Sequence, residues 1–238
     1  MGVEIRTERR PIRTKKFEVE LVSLKKLIPH EMTIKYALEA FKLAVQVDGM
    51  VNHPIIVDKT TNLILDGHHR HSGLSALGFS KGPAIFIDYN DDNIVSLDTW
   101  YPKVRHPTQK IISEFEKEDL IVDECSNDFI DYSKVATRAA TAIIGNKTGH
   151  WTVRGERELI FKIIRDNWLD DTIYYDNAKH CINDANERET AIISWTYSKK
   201  EILEGVKSHK IYLPKTTRHT MHYLVENCDY PLSKLPVK

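Results

Sequence analysis

Residues 63–78 read LILDGHHRHSGLSALG, and this stretch predicts the centre of the fold. Three consecutive aliphatic residues, 63–65, are typical of a short buried strand, which Asp66-Gly67 interrupts. Leu74 and Leu77 lie three residues apart, the spacing of a helix face, and Gly78 after them is a typical helix end. The stretch therefore predicts a strand, a tight turn and a helix in direct succession.

The predicted turn has the features of an anion-binding site. A strand, turn and helix in this order direct several backbone N–H groups and the positive end of the helix dipole toward one point. Gly67 allows a ligand to approach the backbone, and the forked guanidinium of Arg70 suits phosphate oxygens. Asp66 would place an acid at the edge of the turn. A solvent-exposed polar turn would explain the same residues, so the motif alone leaves both interpretations open.

The overall composition is that of a globular protein without a dominant charge. The chain has 238 residues, 41% of them hydrophobic, and its 34 basic side chains balance 34 acidic ones. This length suits one large domain or two small ones. The balanced charge argues against a dedicated nucleic-acid-binding protein, because such proteins are usually basic.

Cysteine usage and hydropathy indicate the cellular compartment of the protein. Cys125, Cys181 and Cys228 are widely spaced, odd in number and form no CxxC pair, which favours free thiols in a reducing compartment. No apolar run approaches the roughly 18 residues of a membrane span. The basic N-terminal residues precede no apolar stretch of the kind found in secretory signals. We therefore expect a cytoplasmic protein with no membrane partner.

The first half of the chain predicts a mixed α/β domain. Residues 1–16 form a basic arm, and a domain over residues 17–92 follows it. Within this domain the apolar spacing predicts one helix over residues 33–47. Strands are predicted at residues 17–22, 53–57, 63–65 and 84–89.

The second half, residues 93–238, predicts another mixed α/β domain. Its predicted helices cover residues 108–117, 156–167 and 198–206, and its predicted strands cover residues 139–144, 150–153, 172–175, 191–197 and 211–213. Ser198 and Glu201 have the spacing of a capping box at the start of the third helix.

A cationic loop follows the last of these strands. Residues 214–219 contain two cations, two hydroxyl groups and an imidazole, in the order Lys215, Thr216, Thr217, Arg218 and His219. Such a loop can donate many hydrogen bonds to an anion, with arginine as a fork and lysine as a mobile point charge. A solvated basic turn is the alternative interpretation, since loops are polar by default.

Other polar residues carry weaker signals. Nothing in its immediate sequence distinguishes Glu31 from a surface carboxylate. A tryptophan such as Trp100, beside Thr99 and Pro102, more often packs in a core or at the junction of two domains than lines a substrate site. The histidines at positions 68, 69 and 71 suggest a metal site, but zinc sites need further ligands at defined spacings and no partner pair is evident.

Four motifs in order along the chain resemble those of a known family. They are Pro29-His30-Glu31, the turn at residues 66–70, Thr99-Trp100-Tyr101-Pro102 and the loop at residues 214–219. The turn resembles the phosphate-binding turn of the ParB/sulfiredoxin-like fold. The four motifs together resemble the archaeal free L-serine kinase family, which forms O-phospho-L-serine and characteristically uses ADP. The resemblance covers residues 19–219.

This resemblance implies a fold and a set of roles. The fold would be α/β, with a ParB/sulfiredoxin-like N-terminal domain, a second mixed α/β domain and the active site in the cleft between them. Glu31 would be the general base, and Asp66 would assist at the reacting centre and hold Mg²⁺. The nucleotide phosphates would be bound by Asp66, Gly67, His68, His69 and Arg70. The serine and the transferred phosphoryl group would be surrounded by Thr99, Trp100, Lys215, Thr216, Thr217, Arg218 and His219.

Two local departures from the family pattern leave the phosphate donor open between ADP and ATP. His71-Ser72 stands where an aromatic and a small residue are more usual, and Val51-Asn52-His53 lacks the aromatic often found before Pro54. L-serine and an adenine nucleotide are the expected partners, without nucleic acid, in a monomer or small homo-oligomer.

Other members of the fold fit less well. Sulfiredoxin chemistry needs a nucleophilic cysteine at the position of His68, and a chromosome-segregation protein would need a helix-turn-helix domain. A non-catalytic nucleotide-binding regulatory module on the same fold stays open as an alternative.

Overall fold

The structure is a computed structural model that describes residues 16–125 and 130–237, together with the backbone of residues 4–6 and 13–14. The predicted basic arm at residues 1–16 lies outside the described residues, apart from Lys16 and these two short backbone segments. Among the described residues, no helix has both the length and the apolar character that crossing a membrane requires.

The described chain contains strands and helices in mixed order. The strands are β1 (Glu4–Arg6), β2 (Arg13–Thr14), β3 (Glu20–Ser23), β4 (Met50–Val51), β5 (Ile55–Asp58), β6 (Ile64–Asp66), β7 (Lys81–Ile87), β8 (Val95–Asp98), β9 (Tyr101–Val104), β10 (Ile121–Glu124), β11 (Ala142–Asn146), β12 (Gly149–Arg154), β13 (Thr172–Tyr175), β14 (Thr190–Ser194), β15 (Arg218–Met221), β16 (Tyr223–Leu224) and β17 (Tyr230–Pro231). The helices are α1 (Lys35–Asp48), α2 (His68–Ala76), α3 (Thr108–Lys117), α4 (Ser133–Ala136), α5 (Arg157–Trp168), α6 (Ala178–Asp184) and α7 (Lys199–Lys207), and short 3-10 turns cover Leu24–Lys26, Leu169–Asp171 and Leu232–Lys234.

The chain folds into two compact units, which we name after their main sheets. The four-stranded unit comprises Pro11–Asp98 and Ser198–Lys238, and the seven-stranded unit comprises Met1–Arg10 and Thr99–Tyr197. These boundaries differ from the predicted domains, because the C-terminal segment returns to the first unit. There β15 pairs with β8, β16 with β2 and β17 with β4. Pairings between segments so distant in sequence leave no signal in local periodicity.

The four-stranded sheet has the order β3-β7-β5-β6. Its central strands β5 and β7 are parallel, and the outer pairs are antiparallel. The aliphatic side chains of β5 and β6 enter a core that also includes Leu74 of α2 and Val45 of α1. A Cβ at Gly73 would lie 2.4 Å from the Phe41 ring, so only glycine allows α2 to approach α1 this closely. The predicted strand, turn and helix at residues 63–78 are confirmed as β6, Gly67 and α2.

The seven-stranded sheet has the order β1-β13-β9-β14-β11-β12-β10. All of its pairs are antiparallel except β1 with β13. Apolar residues of β11, β13 and β14 pack with α6 in a separate core. Both units therefore have the mixed α/β character predicted from the sequence.

Of two elements predicted in the C-terminal part of the chain, one is confirmed and the other is not formed as a strand. The capping box at Ser198 is confirmed, with Ser198 and Glu201 bonded reciprocally at the start of α7. The strand predicted over residues 211–213 is reduced to one bridge, in which Tyr212 pairs with Glu31. Pro214 and the positive φ of Lys215, 67°, turn the chain away before a strand can extend.

Candidate active site

Gly67 forms the turn between β6 and α2. Its φ of +105° lies in a region that residues with a Cβ avoid, and it caps the helix N-terminus. A Cβ at this position would lie 2.9 Å from Arg70 Nε, so glycine also makes room for the arginine. The first N–H groups of a helix lack intrahelical partners. The turn therefore offers backbone donors, a helix dipole and a guanidinium at one place.

Asp66 and Arg70 form an ion pair across this turn. Arg70 Nη2 donates to Asp66 Oδ2 at 2.5 Å, with the aspartate side chain 60% exposed and the arginine 19% exposed. Desolvation is the largest single effect and acts to raise the pKa of Asp66, but the Arg70 guanidinium, with smaller contributions from His219 and the Gly67 backbone, lowers this pKa overall. Arg70 Nε is buried and has no hydrogen-bond partner among the described residues. The turn thus combines an ionised carboxylate with a cationic donor that is still unsatisfied.

Glu31 is positioned by a short pairing with the segment around Tyr212. Tyr212 N donates to His30 O at 2.7 Å, and Met32 N donates to Tyr212 O at 2.9 Å. This two-bond bridge holds residues 30–32 beside the tail loop, which we define as residues 214–219. Both segments belong to the four-stranded unit although about 180 residues of sequence separate them.

The Glu31 carboxylate accepts hydrogen bonds from the tail loop. Its Oε1 accepts from Thr217 N and from Thr217 Oγ1, each at 2.6 Å, and its Oε2 accepts from Lys215 N at 3.2 Å. Burial raises the pKa of Glu31 to about 7, against the opposing effects of Thr217 and Lys215. A carboxyl group with a pKa near neutrality is suited to general-base chemistry at physiological pH.

The raised pKa of Glu31 predicts that stability falls as pH rises. The pKa is about 7 in the folded chain against an ordinary value of 4.5, so between these values only the folded state keeps the proton. The free energy of unfolding should therefore decline over this window by up to ~3 kcal/mol. We expect denaturant unfolding at pH 5 and pH 8 to show a smaller decline for Glu31→Gln than for the unmodified chain. Equal declines in both proteins would contradict the shift.

Lys215 brings a positive charge close to both carboxylates. Burial lowers the pKa of its ammonium group, while the charges of Glu31 and Asp66 act in the opposite direction. The hydroxyl-bearing residues that follow, Thr216 and Thr217, are both buried. The Lys215 ammonium group therefore interacts electrostatically with both the Glu31 carboxylate and the Asp66 carboxylate.

The end of the tail loop enters strand β15. Arg218 Nη1 donates to Thr220 Oγ1 at 2.6 Å, and His219 Nε2 bonds with Tyr89 OH at 2.9 Å. Burial lowers the pKa of His219 to about 3, which keeps this imidazole neutral at physiological pH. The positive charge of the loop therefore comes from Lys215 and Arg218.

His30 links the tail loop to helix α2. The residue is fully buried, with Nε2 3.0 Å from Thr217 Oγ1 and Nδ1 3.2 Å from His68 Nε2. Burial lowers the pKa of His30 to about 4 and that of His68 well below its usual value. Both imidazoles are therefore neutral hydrogen-bonding groups at physiological pH. The sequence placed His30 next to Glu31 but assigned it no role, because a lone histidine carries no spacing signal.

The two other histidines of the turn bind different backbone groups. His69 Nε2 accepts from Ile34 N at 3.0 Å, which satisfies the first amide before α1. His71 Nε2 donates to Leu24 O, also at 3.0 Å. The predicted contact of His68 and His69 with nucleotide phosphates stays a prediction.

Thr99 and Trp100 belong to the seven-stranded unit. Thr99 is fully buried, and its Oγ1 accepts from Arg157 Nη2 at 2.9 Å. The Arg157 guanidinium also donates to Ser194 Oγ and to the carbonyl of Trp195. Thr99 is thus held in place by a buried cation. The predicted serine contact of Thr99 and Trp100 stays a prediction, and the other predicted site residues lie together in the four-stranded unit.

Known proteins with full-length similarity identify the family. The chain is 31% identical over 246 residues to the ATP-dependent L-serine kinase of Staphylothermus marinus, covering 98% of this chain and 97% of the relative. The chain belongs to the L-serine kinase family. It is also 30% identical over 249 residues to the ADP-dependent L-serine kinase SerK of Thermococcus kodakarensis, covering 99% and 100% of the two chains. No protein-family model matches.

Structural similarity to L-serine kinases extends over the whole fold. A solved free serine kinase in complex with AMP superposes with a TM-score of 0.84 at 27% identity, covering 98% of this chain and all of the other. A ParB-like protein of Sulfolobus acidocaldarius is 42% identical over 79 residues, or 33% of this chain. The predicted resemblance to this kinase family and to the ParB-like fold is therefore confirmed.

Proposed function

We propose that this L-serine kinase homologue phosphorylates the hydroxyl of free L-serine, with ADP as donor and AMP as the second product. The observation that carries the proposal is the Glu31 carboxylate, which has a pKa of about 7 and lies against a cationic loop. A phosphate-binding turn alone would serve a regulatory nucleotide-binding module equally well. A half-buried base beside the Lys215 cation suits phosphoryl transfer to a hydroxyl.

The proposed reaction assigns one task to each group. Glu31 accepts the proton of the serine hydroxyl as the serine oxygen bonds to the β-phosphorus of ADP. The bond from that phosphorus to the bridging oxygen breaks, and AMP leaves. Lys215 and Arg218 offset negative charge on the moving phosphoryl group. Phosphoryl transfer depends chiefly on such alignment and charge neutralisation.

The glycine turn is proposed to bind the donor phosphates. Gly67 opens the helix N-terminus to an anion, and Arg70 supplies the unsatisfied Nε–H. His68 and His69 are proposed to line this turn. Around the serine we propose Thr99 and Trp100, with the remaining tail-loop residues Thr216, Thr217 and His219.

Asp66 has the chemistry of a Mg²⁺ ligand. Mg²⁺ is usually bound by one or two carboxylates together with substrate phosphates and water. The Asp66 carboxyl group has a lowered pKa and is 60% exposed, with Arg70 on its Oδ2. These properties fit the metal, so we propose that Asp66 holds it. When bound, Mg²⁺ would neutralise charge on the donor phosphates.

ATP is the second candidate donor. The Staphylothermus marinus relative, at 31% identity, is named an ATP-dependent kinase, whereas the Thermococcus kodakarensis relative at 30% is named ADP-dependent. These identities are too similar to choose between the donors. The resemblance of the four motifs favours ADP, and the departures at residues 51–53 and 71–72 keep ATP in consideration.

A phosphorus NMR experiment tests the activity and the donor together. The protein is incubated with L-serine, Mg²⁺ and either ADP or ATP, and the products are resolved by ³¹P NMR. Phosphoserine formed with AMP supports the ADP-dependent kinase, and phosphoserine formed with ADP from ATP supports the second candidate. No phosphoserine from either donor, with nucleotide still bound, would favour the regulatory module.

A further inference from the structure

We propose that His30 is a positioning residue, which acts through the Thr217 hydroxyl to orient the Glu31 carboxylate and to leave Oε2 as its proton-accepting oxygen. The catalytic consequence rests on the proposed kinase function. The hydrogen-bond order itself follows from three side chains of the four-stranded unit, and it can be tested without turnover.

The direction of the hydrogen bonds follows from the chemistry of the groups. An ionised carboxylate can only accept, so the Thr217 hydroxyl gives its hydrogen to Glu31 Oε1, 2.6 Å away. The hydroxyl oxygen can then only accept from His30 Nε2, at 3.0 Å. A neutral imidazole carries one N–H, so His30 is the Nε2–H tautomer with Nδ1 as an acceptor. The Thr217 hydroxyl is thereby prevented from turning away from the carboxylate.

This order distinguishes the two oxygens of Glu31. Oε1 accepts two bonds of 2.6 Å, from the amide and the hydroxyl of Thr217. Oε2 accepts one longer bond, 3.2 Å, from Lys215 N. Hydrogen bonds to a carboxylate stabilise its charge and lower the basicity of the bonded oxygen. Oε2 is therefore the more basic oxygen and the one available to a substrate proton.

His68 of helix α2 lies next to His30. Its Nε2 lies 3.2 Å from His30 Nδ1 and also accepts from the His30 backbone N–H at 3.4 Å. His68 is the first residue of α2, directly after Gly67. The directed chain of hydrogen bonds therefore runs from His30 through Thr217 to Glu31, and His68 lies beside its first member.

Other polar and charged groups surround this chain, and the Ile64 backbone hydrogen-bonds the His30 imidazole. Lys215 faces Glu31 from the tail loop. The His219 and Tyr212 rings lie edge-on to His30, with centroids 5.6 Å and 6.3 Å away. A purely structural histidine in this position would need partners for its nitrogens but not a particular effect on Glu31. Loss of a positioning histidine would shift the titration midpoint of Glu31, whereas loss of a purely structural histidine would leave this midpoint unchanged.

A matched pair of substitutions separates the two nitrogens of His30. In His30→Gln the amide nitrogen can occupy the position of Nε2 and still donate to Thr217. In His30→Asn the shorter side chain reaches only the Nδ1 position, toward His68. Glu31 is titrated in each protein by ¹³C NMR of its carboxyl carbon, and kcat and KM for serine are measured from pH 5 to 9.

We expect His30→Asn to raise the titration midpoint of Glu31 by ~1 pH unit, because a free hydroxyl no longer stabilises the charge. The acid limb of kcat should move in the same direction, and kcat should fall roughly 10- to 100-fold with KM little changed. His30→Gln should stay within about threefold of the unmodified protein, with its midpoint unchanged. Thr217→Val, which removes the hydroxyl directly, should raise the midpoint as His30→Asn does.

The titration keeps this inference separate from the kinase proposal. If the protein formed no phosphoserine but the midpoint rose in His30→Asn and Thr217→Val, the kinase proposal alone would fail. An unmoved Glu31 midpoint in Thr217→Val would overturn the inference even if His30→Asn did not fold. Equal loss of kcat in His30→Asn and His30→Gln, with no shift of the acid limb, would reduce His30 to a structural role.

Discussion

Replacing Glu31 with glutamine is expected to lower kcat for phosphoserine formation by about 10²–10⁴ while ADP affinity stays within threefold. Glutamine keeps the shape of the side chain, and its carbonyl can still accept from the Thr217 amide and hydroxyl, which contact Oε1 at 2.6 Å. It cannot take a proton from serine. A positioned general base contributes a factor of this size, equivalent to roughly 3–5 kcal/mol of barrier. Steady-state kinetics and calorimetric titration with ADP measure the two quantities.

Glu39 provides a matched control for this substitution. Its side chain is 58% exposed on α1 and pairs only with Lys42 among the contacts that the structure describes. Glu39→Gln removes the same charge without touching the site, so its kcat should equal that of the unmodified protein. Near-full activity in Glu31→Gln would show that another group takes the proton.

Replacing Gly67 with alanine is expected to weaken ADP binding by at least about tenfold. The new Cβ would lie 2.9 Å from Arg70 Nε and 3.0 Å from Nη2, in a backbone conformation with φ of +105°. The arginine would have to move, and its ion pair with Asp66 would be lost with it. The unfavourable φ adds a destabilisation of about 1–2 kcal/mol. Calorimetry with ADP and thermal unfolding of the same samples measure both effects.

Gly78 separates backbone strain from the arginine clash. Its φ is +89°, and a Cβ there would meet nothing within 4 Å. Gly78→Ala should therefore cost similar stability through strain but leave ADP affinity unchanged. If Gly67→Ala bound ADP as tightly as Gly78→Ala does, the glycine turn would not be the phosphate site.

Local sequence patterns predicted the elements around the site well. The aliphatic run at residues 63–65, the interrupting Gly67 and the spacing of Leu74 and Leu77 correspond to β6, the turn and α2. These features depend on neighbours within one or two helical turns, so the sequence contains the whole signal. The capping box at Ser198 belongs to the same class of local features.

The sequence did not predict two pairings between segments that are far apart along the chain. The domain boundary predicted near residue 92 missed the return of the C-terminal segment, in which β15 pairs with β8 across more than 110 residues. The strand predicted over residues 211–213 became a single bridge between Tyr212 and Glu31. In both cases the pairing partner of the strand is determined by the packing of segments that are distant in sequence. The alternation of apolar residues predicts a strand but does not identify the segment with which it pairs.

The sequence by itself determined the turn at Gly67, the mixed α/β class and, through four ordered motifs, the resemblance to L-serine kinases. Only the tertiary structure decided the electrostatic state of Glu31, a residue that the sequence distinguished only through the family resemblance of its motif. Its pKa of about 7 arises from burial against residues 215–217, and its orientation arises from a hydrogen-bond chain with His30. Desolvation and hydrogen-bond direction depend on atoms brought together in space, so no reading of adjacent residues could supply them.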